Sequence, residues 1–250
     1  MEMSDRSVQA RSFGAAAAAY ERGRPSYPAR AVAWVVPASA RRVLDLGAGT
    51  GKLTRQLSAR GLDVVAVEPS AGMREQLTGA LPAVPALAGS AEDIPLPDRS
   101  VEAVVIAQAW HWVDPERALP EVARVLTPGG QLGLVWNTRD EREDWVARLG
   151  RILHPYSTPP TSGVGVDAIA APFGTVEHQR VEWHHRLTPA ELLDLVASRS
   201  YVITLPPADR SALVAAVRDL LATHPALASA HELAMPYVTH CFRTRLTGSG

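Results

Sequence analysis

Cysteine is almost missing from this chain: Cys241 is the only one in 250 residues. A single thiol excludes an internal disulfide and any thiolate metal cluster, and the apolar stretch around Cys241 predicts a packing role. Lysine is as scarce, with Lys52 the sole example, so the positive charge rests on arginine. The formal net charge is −1, which leaves no field to draw the chain to nucleic acid or anionic lipid. Apolar runs such as residues 101–107 are far shorter than the roughly 20 residues of a membrane span. The first residues, MEMSDRSVQARSFG, lack the apolar centre of a signal peptide, so a soluble cytoplasmic protein without membrane contact is expected. What is present is ordinary: 46% hydrophobic and 20% charged residues can bury a core in one large α/β domain.

An alanine-rich helical stretch over 14–20 and a Pro/Arg loop over 21–28 come first. From residue 29 two periods then alternate. The spacing predicts helices over 29–36, 52–60, 71–81 and 115–126, the third started by Ser70 as N-cap. Pro128-Gly129-Gly130 is the stop signal of the fourth. Between them lie strands over 42–46, 63–67, 84–88, 101–107 and 131–136. Near-continuous apolar strands separated by helices predict a parallel sheet covered on both faces, with right-handed crossovers. Beyond residue 137 the pattern loosens. An amphipathic helix after 139 gives way to a Pro/Ser/Thr/Gly-rich loop at 156–166. A strand over 176–187, helices over 189–197 (N-cap Thr188) and 211–222, and a strand over 236–246 complete the chain.

The richest string is Val43-Leu-Asp45-Leu-Gly47-Ala-Gly49-Thr-Gly51-Lys-Leu53, between the first strand and a helix. Glycines at every second position let the backbone approach a ligand, and the helix N-terminus offers N–H groups. The dinucleotide fingerprint GxGxxG fails because Lys52 stands where its last glycine belongs. A phosphate-binding P-loop fails at Leu46 and Leu53. Glu68 ends the second strand, where a carboxylate can accept hydrogen bonds from both ribose hydroxyls of a nucleoside. Gly89-Ser-Ala91-Glu92-Asp93 follows the third strand as a short acidic turn that can meet an adenine amine. Three such signals at successive strand ends of one sheet reinforce one another.

With these residues the chain resembles the class I S-adenosylmethionine-dependent methyltransferases, and among them the "type 11" small-molecule group. The resemblance rests on DLGAGTGKLT (Asp45 to Thr54), VAVEPSAGM (Val65 to Met73), GSAEDIPLPDRSVEAVV (Gly89 to Val105), AQAWHWVD (Ala107 to Asp114) and EVARVLTPGGQLGLVWN (Glu121 to Asn137). It implies a doubly wound, seven-stranded mixed sheet, mostly parallel with the last strand antiparallel, helices on both faces and an inserted helical cap. Within one methyltransferase domain, residues 1–40 become a lid segment and 41–137 the cofactor-binding core. Segments 138–175 and 198–232 are candidate substrate caps, and 176–197 and 233–246 finish the sheet. For the cofactor, S-adenosylmethionine, the resemblance implies Gly47, Ala48 and Gly49 at the methionine part and Glu68 at the ribose. Asp45 and Gly51 belong to the same loop. Pro69 and Met73 flank the adenine, Ala91 and Glu92 run along its edge, and Ala107 and Gln108 lie beneath the sulfonium. Arg24, locked by Pro25, is a candidate partner for the cofactor carboxylate or an acidic substrate.

Methyl transfer needs alignment of a nucleophile with the methyl carbon more than strong catalytic groups. His111 is the candidate proton acceptor, since its unperturbed pKa lies near 6.5, and local packing between two tryptophans is the alternative. Tyr20, Tyr27, Trp110, His111 and Trp112 are the candidate substrate pocket. No Asn/Asp-Pro-Pro-aromatic string follows the fourth strand and no basic stripe is interleaved with aromatics, so a nucleic-acid acceptor is not expected. A small organic acceptor is. His184 and His185 point to opposite faces of a strand, and the other histidines show no ligand spacing, so no metal is expected. A monomer or homodimer fits. The rivals are a methyltransferase fold that binds the cofactor without turnover, and a nicotinamide oxidoreductase.

Overall fold

The computed structural model describes residues 25–153, 155 and 165–247. The expected helix at 14–20, Tyr20, Arg24, His154 and nearly all of the loop at 156–166 lie outside them. The alternation read from the sequence is the order of elements: α1 (Ala29–Val35), β1 (Arg42–Leu46), α2 (Lys52–Ala59), β2 (Asp63–Val67), α3 (Ala71–Ala80), β3 (Ala86–Leu87) and β4 (Val101–Ala107). A 3₁₀ turn at Trp110–Trp112 leads to α4 (Pro115–Val125), β5 (Leu126–Arg139) and α5 (Asp144–Leu153). The chain ends with β6 (Glu177–Leu187), α6 (Pro189–Ala197), α7 (Ser200–Ile203), α8 (Pro207–Thr223) and β7 (Leu233–Arg245).

The strands form one sheet in the order β3-β2-β1-β4-β5-β7-β6. Neighbours from β3 to β5 are parallel. β7 runs against β5: Thr138 Oγ1 donates to Val238 O and Asp140 N to Pro236 O, so the residue numbers rise on one strand as they fall on the other. The mixed, mostly parallel seven-stranded sheet is therefore as expected. The strand order reverses between β1 and β4, and such a switch point opens a crevice at the carboxyl ends of the strands.

The chain divides into two compact units, whose described parts are residues 26–137, 165–181 and 239–247 for one, and 25, 138–153, 155 and 182–238 for the other. In the first, the strands are buried on both faces. Val43, Val105 and Val135 join Leu53, Leu57 and Val35 in one cluster, while Leu44, Val104 and Leu134 join Leu119, Val122 and Trp110 in another. Neighbours such as Val43 and Leu44 thus serve opposite faces, which is why each strand reads as a continuous apolar run. In the second unit, α5, α6 and α8 pack around Trp145, Leu149, Leu195, Leu213 and Val217. α6 begins with the expected N-cap: Thr188 Oγ1 accepts from Glu191 N at 3.2 Å while the Glu191 carboxylate returns to Thr188 N at 2.6 Å, a reciprocal capping box.

Some expected boundaries and one expected cap differ for local reasons. β3 shrinks from 84–88 to two residues because Val84 N is taken by Leu81 O and Pro85 has no N–H to give. β5 starts at Leu126, not at 131. Leu126 pairs with Val101, and Pro128-Gly129-Gly130 forms a bulge inside the strand instead of a stop. Gly130 is required there, since a Cβ would lie 2.8 Å from Thr127 O. α8 begins at Pro207 rather than 211, because proline fits the first turn of a helix. Ser70 occupies the N-cap position of α3, but its side chain makes no capping bond and its N–H goes to Glu68 instead.

Candidate functional site

The turn after β1 is tied to the end of β2, where Gly47 N and Ala48 N both donate to Val67 O, at 2.8 and 3.1 Å. Gly47, Gly49 and Gly51 all have left-handed backbones, with φ of 73°, 58° and 90°. A side chain at Gly47 would also meet Ala109, its Cβ 2.9 Å from that of the alanine. A Cβ on Gly49 would touch only Met73 Sδ, at 3.9 Å, so that stretch of backbone stands clear. α2 then starts after Gly51, an N-cap with no side-chain bond, and the helix dipole favours an anion above the loop.

Glu68 follows β2 and is 7% exposed. Its Oε2 accepts from Gly49 N at 3.0 Å and its Oε1 from Ser70 N at 2.9 Å, so the carboxylate binds the glycine loop to the lead-in of α3. Arg74 secures the bend by donating to Glu68 O and Pro69 O. Burial raises the Glu68 pKa, against the two backbone bonds and the Arg74 charge. Each carboxylate oxygen has a further lone pair, so both keep capacity for a ligand hydroxyl.

Asp45, on β1, is more extreme at 1% exposed. Thr54 Oγ1 donates to its Oδ2 at 2.6 Å, while its Oδ1 is buried without a hydrogen-bond partner. Burial pushes its pKa up to about 7, with Thr54 opposing and the Glu68 charge adding to the rise. An orphaned buried acceptor beside a glycine loop is what a bound donor group would satisfy.

The remaining residues divide. Met73 is buried, with its sulfur facing Gly49, and Pro69 is exposed. Ala91 is buried in a turn closed by the Ser90–Asp93 bridge. Glu92 sends Oε1 to Asp114 N at 2.9 Å, so that oxygen already holds the entry to α4. At the end of β4, Gln108 has φ of 57°, rare for a residue with a Cβ. Its N donates to Val135 O and its Nε2 to Asn137 O.

Trp110 is core, not pocket wall: it is 1% exposed, packs with the cluster of Leu119 and Phe173, and donates from Nε1 to Gly165 O. His111, by contrast, is exposed, its ring 4.5 Å from Trp112 and 5.6 Å from Trp136. Tyr27 is clamped through its backbone: Gln56 Oε1 accepts from its N, and Gln56 Nε2 donates to its O. Its half-buried side chain packs on the cluster of Ala31 and Val35. Two residues were missed. Asn137 is buried, its Nδ2 on Ser26 O and its Oδ1 accepting from Thr239 Oγ1 at 2.6 Å, and Trp136 stands beside His111. Their place just before the end of β5, next to Gln108, was the available signal. Among the described residues no three His, Cys, Asp or Glu side chains are grouped to hold a metal ion.

A family profile described as a methyltransferase domain matches residues 44–134, the span from the glycine loop to β5. The Mycobacterium tuberculosis protein named "Uncharacterized methyltransferase Rv3342" is 61% identical over 235 residues, 94% of this chain and 96% of its own. This chain belongs to the class I S-adenosylmethionine-dependent methyltransferases. As a methyltransferase it is also similar over its length to a Schizosaccharomyces pombe protein named "Uncharacterized methyltransferase-like C25B8.10", 34% identical over 94% of this chain and 95% of that one. Among solved structures, a candidate type II methyltransferase of Anaeromyxobacter dehalogenans superposes with a TM-score of 0.67 at 28% identity, covering 89% of this chain and 96% of that one. Methyltransferases of this class generally use S-adenosylmethionine. The orphaned Asp45 Oδ1, the left-handed glycines and the buried Glu68 carboxylate fit such a group.

Proposed function

We propose that this methyltransferase moves a methyl group from S-adenosylmethionine to a small organic acceptor. The observation that carries the cofactor assignment is the Glu68 carboxylate, fixed by Gly49 N–H and Ser70 N–H at the carboxyl end of β2 with lone pairs to spare. Glu68 receives the ribose hydroxyls. Gly47, Ala48, Gly49 and Gly51, with the start of α2, hold the methionine carboxylate, and Asp45 Oδ1 accepts from its ammonium. Met73 and Pro69 flank the adenine, and the Ala91–Glu92 turn borders its edge. Ala107 and Gln108 form the floor under the sulfur, with the Gln108 backbone held in its left-handed conformation by Val135 and Asn137.

The bound sulfonium supplies an activated methyl group, and the protein's part is to align a nucleophile with it and exclude water. His111, exposed and edged by Trp112 and Trp136, is our candidate to take a proton from an oxygen or nitrogen nucleophile. Trp112 and Trp136 supply apolar surface beside it. Nothing in the charge of the chain favours nucleic acid, and no helix among the described residues is long and apolar enough to cross a membrane. A small acceptor in the cytoplasm fits both.

The test is calorimetric titration of the full chain with S-adenosylhomocysteine and, separately, with NAD. Saturable binding of the first and none of the second is expected. Glu68→Ala should weaken S-adenosylhomocysteine by about 1–3 kcal/mol, the scale of hydrogen bonds to a charged group. Unchanged affinity would remove the ribose assignment. Turnover of labelled S-adenosylmethionine on a metabolite panel then separates an enzyme from a silent binder.

A further inference from the structure

Arg139 closes β5 directly opposite Tyr237 of β7. The bond from Thr138 Oγ1 to Val238 O, 3.1 Å, and that from Asp140 N to Pro236 O, 3.0 Å, bracket the pair. Residues opposite one another on antiparallel strands project from one face with Cβ atoms about 5 Å apart. Tyr237 is 2% exposed, and its Oη is buried without a hydrogen-bond partner, as is the Nε of Arg139. Arg199, in the junction between α6 and α7, has an Nε buried and unpartnered in the same way. Burial first, and the Arg199 charge second, hold the Arg139 guanidinium below its usual range, opposed by Tyr237, Tyr201 and Glu141. An arginine keeps its proton in a protein, so two guanidinium groups share this place as cations.

Among the described residues they are answered poorly. Glu141 stands 4.0 Å from Arg139 Nη2, beyond hydrogen-bond reach, and is one carboxylate for two cations. Arg142, three residues further on, shows the alternative: it is paired with Asp140 and, at 3.0 Å, with Glu182. A buried charge persists where a counter-charge and hydrogen bonds meet it, and here the described residues supply neither in full.

We propose that Arg139, Arg199, Tyr201 and Tyr237 form a binding site for the carboxylate of a small organic acid. The guanidinium groups offer fork-shaped donors matched to a planar carboxylate, and the phenol hydroxyls add neutral ones. Tyr237 stacks with Trp183 at 5.5 Å between ring centres, an aromatic wall that suits an organic body better than inorganic phosphate. All of these residues belong to the unit of residues 138–153 and 182–238.

The full chain is titrated calorimetrically with acetate, benzoate and succinate, with neutral benzamide and with inorganic phosphate, all at one ionic strength. A carboxylate should saturate a single site, and benzamide should bind at least about tenfold more weakly than benzoate. Arg139→Gln and Arg199→Gln should each weaken the carboxylate by about tenfold or more, and Arg142→Gln should leave it unchanged. Absence of saturable carboxylate binding overturns the proposal, as does an affinity in both variants equal to that of the unsubstituted chain. Phosphate binding tighter than every carboxylate overturns the choice of ligand. Should Arg139→Gln fail to fold, Arg199→Gln and the benzamide comparison decide. S-adenosylhomocysteine titrated into the same samples reads the methyl-donor site separately.

Discussion

Thr54, early in α2, donates its hydroxyl to Asp45 Oδ2 near the end of β1 across 2.6 Å. The other oxygen has no partner, and the group sits near neutrality instead of in the ordinary carboxylate range.

That displacement makes stability depend on pH. Asp45 holds its proton in the folded chain up to about pH 7 and in the unfolded chain only to about 3.9. Between those values the folded state binds the extra proton, so stability is full below pH 4 and falls as pH rises through 7. Glu68 is shifted in the same direction and adds to the slope. Asp45→Asn should keep the Thr54 bond, remove the Asp45 share of the slope and recover stability at pH 8, on the order of a few kcal/mol. Urea unfolding of both proteins at pH 5 and pH 8 measures it, and an unchanged slope would contradict it.

The glycines of the loop should rank. Gly47→Ala combines a left-handed backbone with a Cβ 2.9 Å from Ala109, whereas Gly49→Ala meets only ordinary contact at 3.9 Å. Both should lose about 1 kcal/mol to backbone strain, and Gly47→Ala more through the contact. Denaturant midpoints would show the order, and the reverse order would mean the loop yields at Gly47.

Adjacent residues in the 3₁₀ turn should behave oppositely. Trp110→Ala empties a filled core position and should cost about 3–5 kcal/mol of stability. His111→Ala, at an exposed ring, should leave the melting temperature near its starting value. It should lower turnover while S-adenosylhomocysteine affinity holds. Equal turnover in His111→Ala would remove it as the proton acceptor.

Thr188→Ala removes the hydroxyl arm of the capping box, leaving the Thr188 N–H on the Glu191 carboxylate, and should cost about 1 kcal/mol, read as a lowered midpoint with an unchanged denaturant slope. Glu191→Ala should cost less, because the Thr188 hydroxyl still caps Glu191 N in the shortened partner.

Much of the local structure around the candidate donor site was legible because its signals are local. Gly47, Gly49 and Gly51 owe their role to backbone angles that only a residue without Cβ adopts freely. Glu68 follows the strand that immediately precedes it, and the two faces of a buried strand impose an apolar run that cannot be hidden. Trp110, expected in the pocket, fills a core position, because an aromatic side chain looks the same in sequence whether it lines a pocket or fills a core. Which it does depends on what Gly165 brings to it from 55 residues away.

The sequence by itself determined the alternation of strands and helices, the glycine turn and the acidic residue after β2, since hydrophobic period and backbone propensity act over a few residues. Only the tertiary structure decided that Asp45 is left half-satisfied and that Arg139 stands opposite Tyr237, as it also paired His178 with His240 at 3.2 Å. Strand register and burial are set by contacts between residues far apart in the chain, and desolvation of a charge depends on everything packed around it.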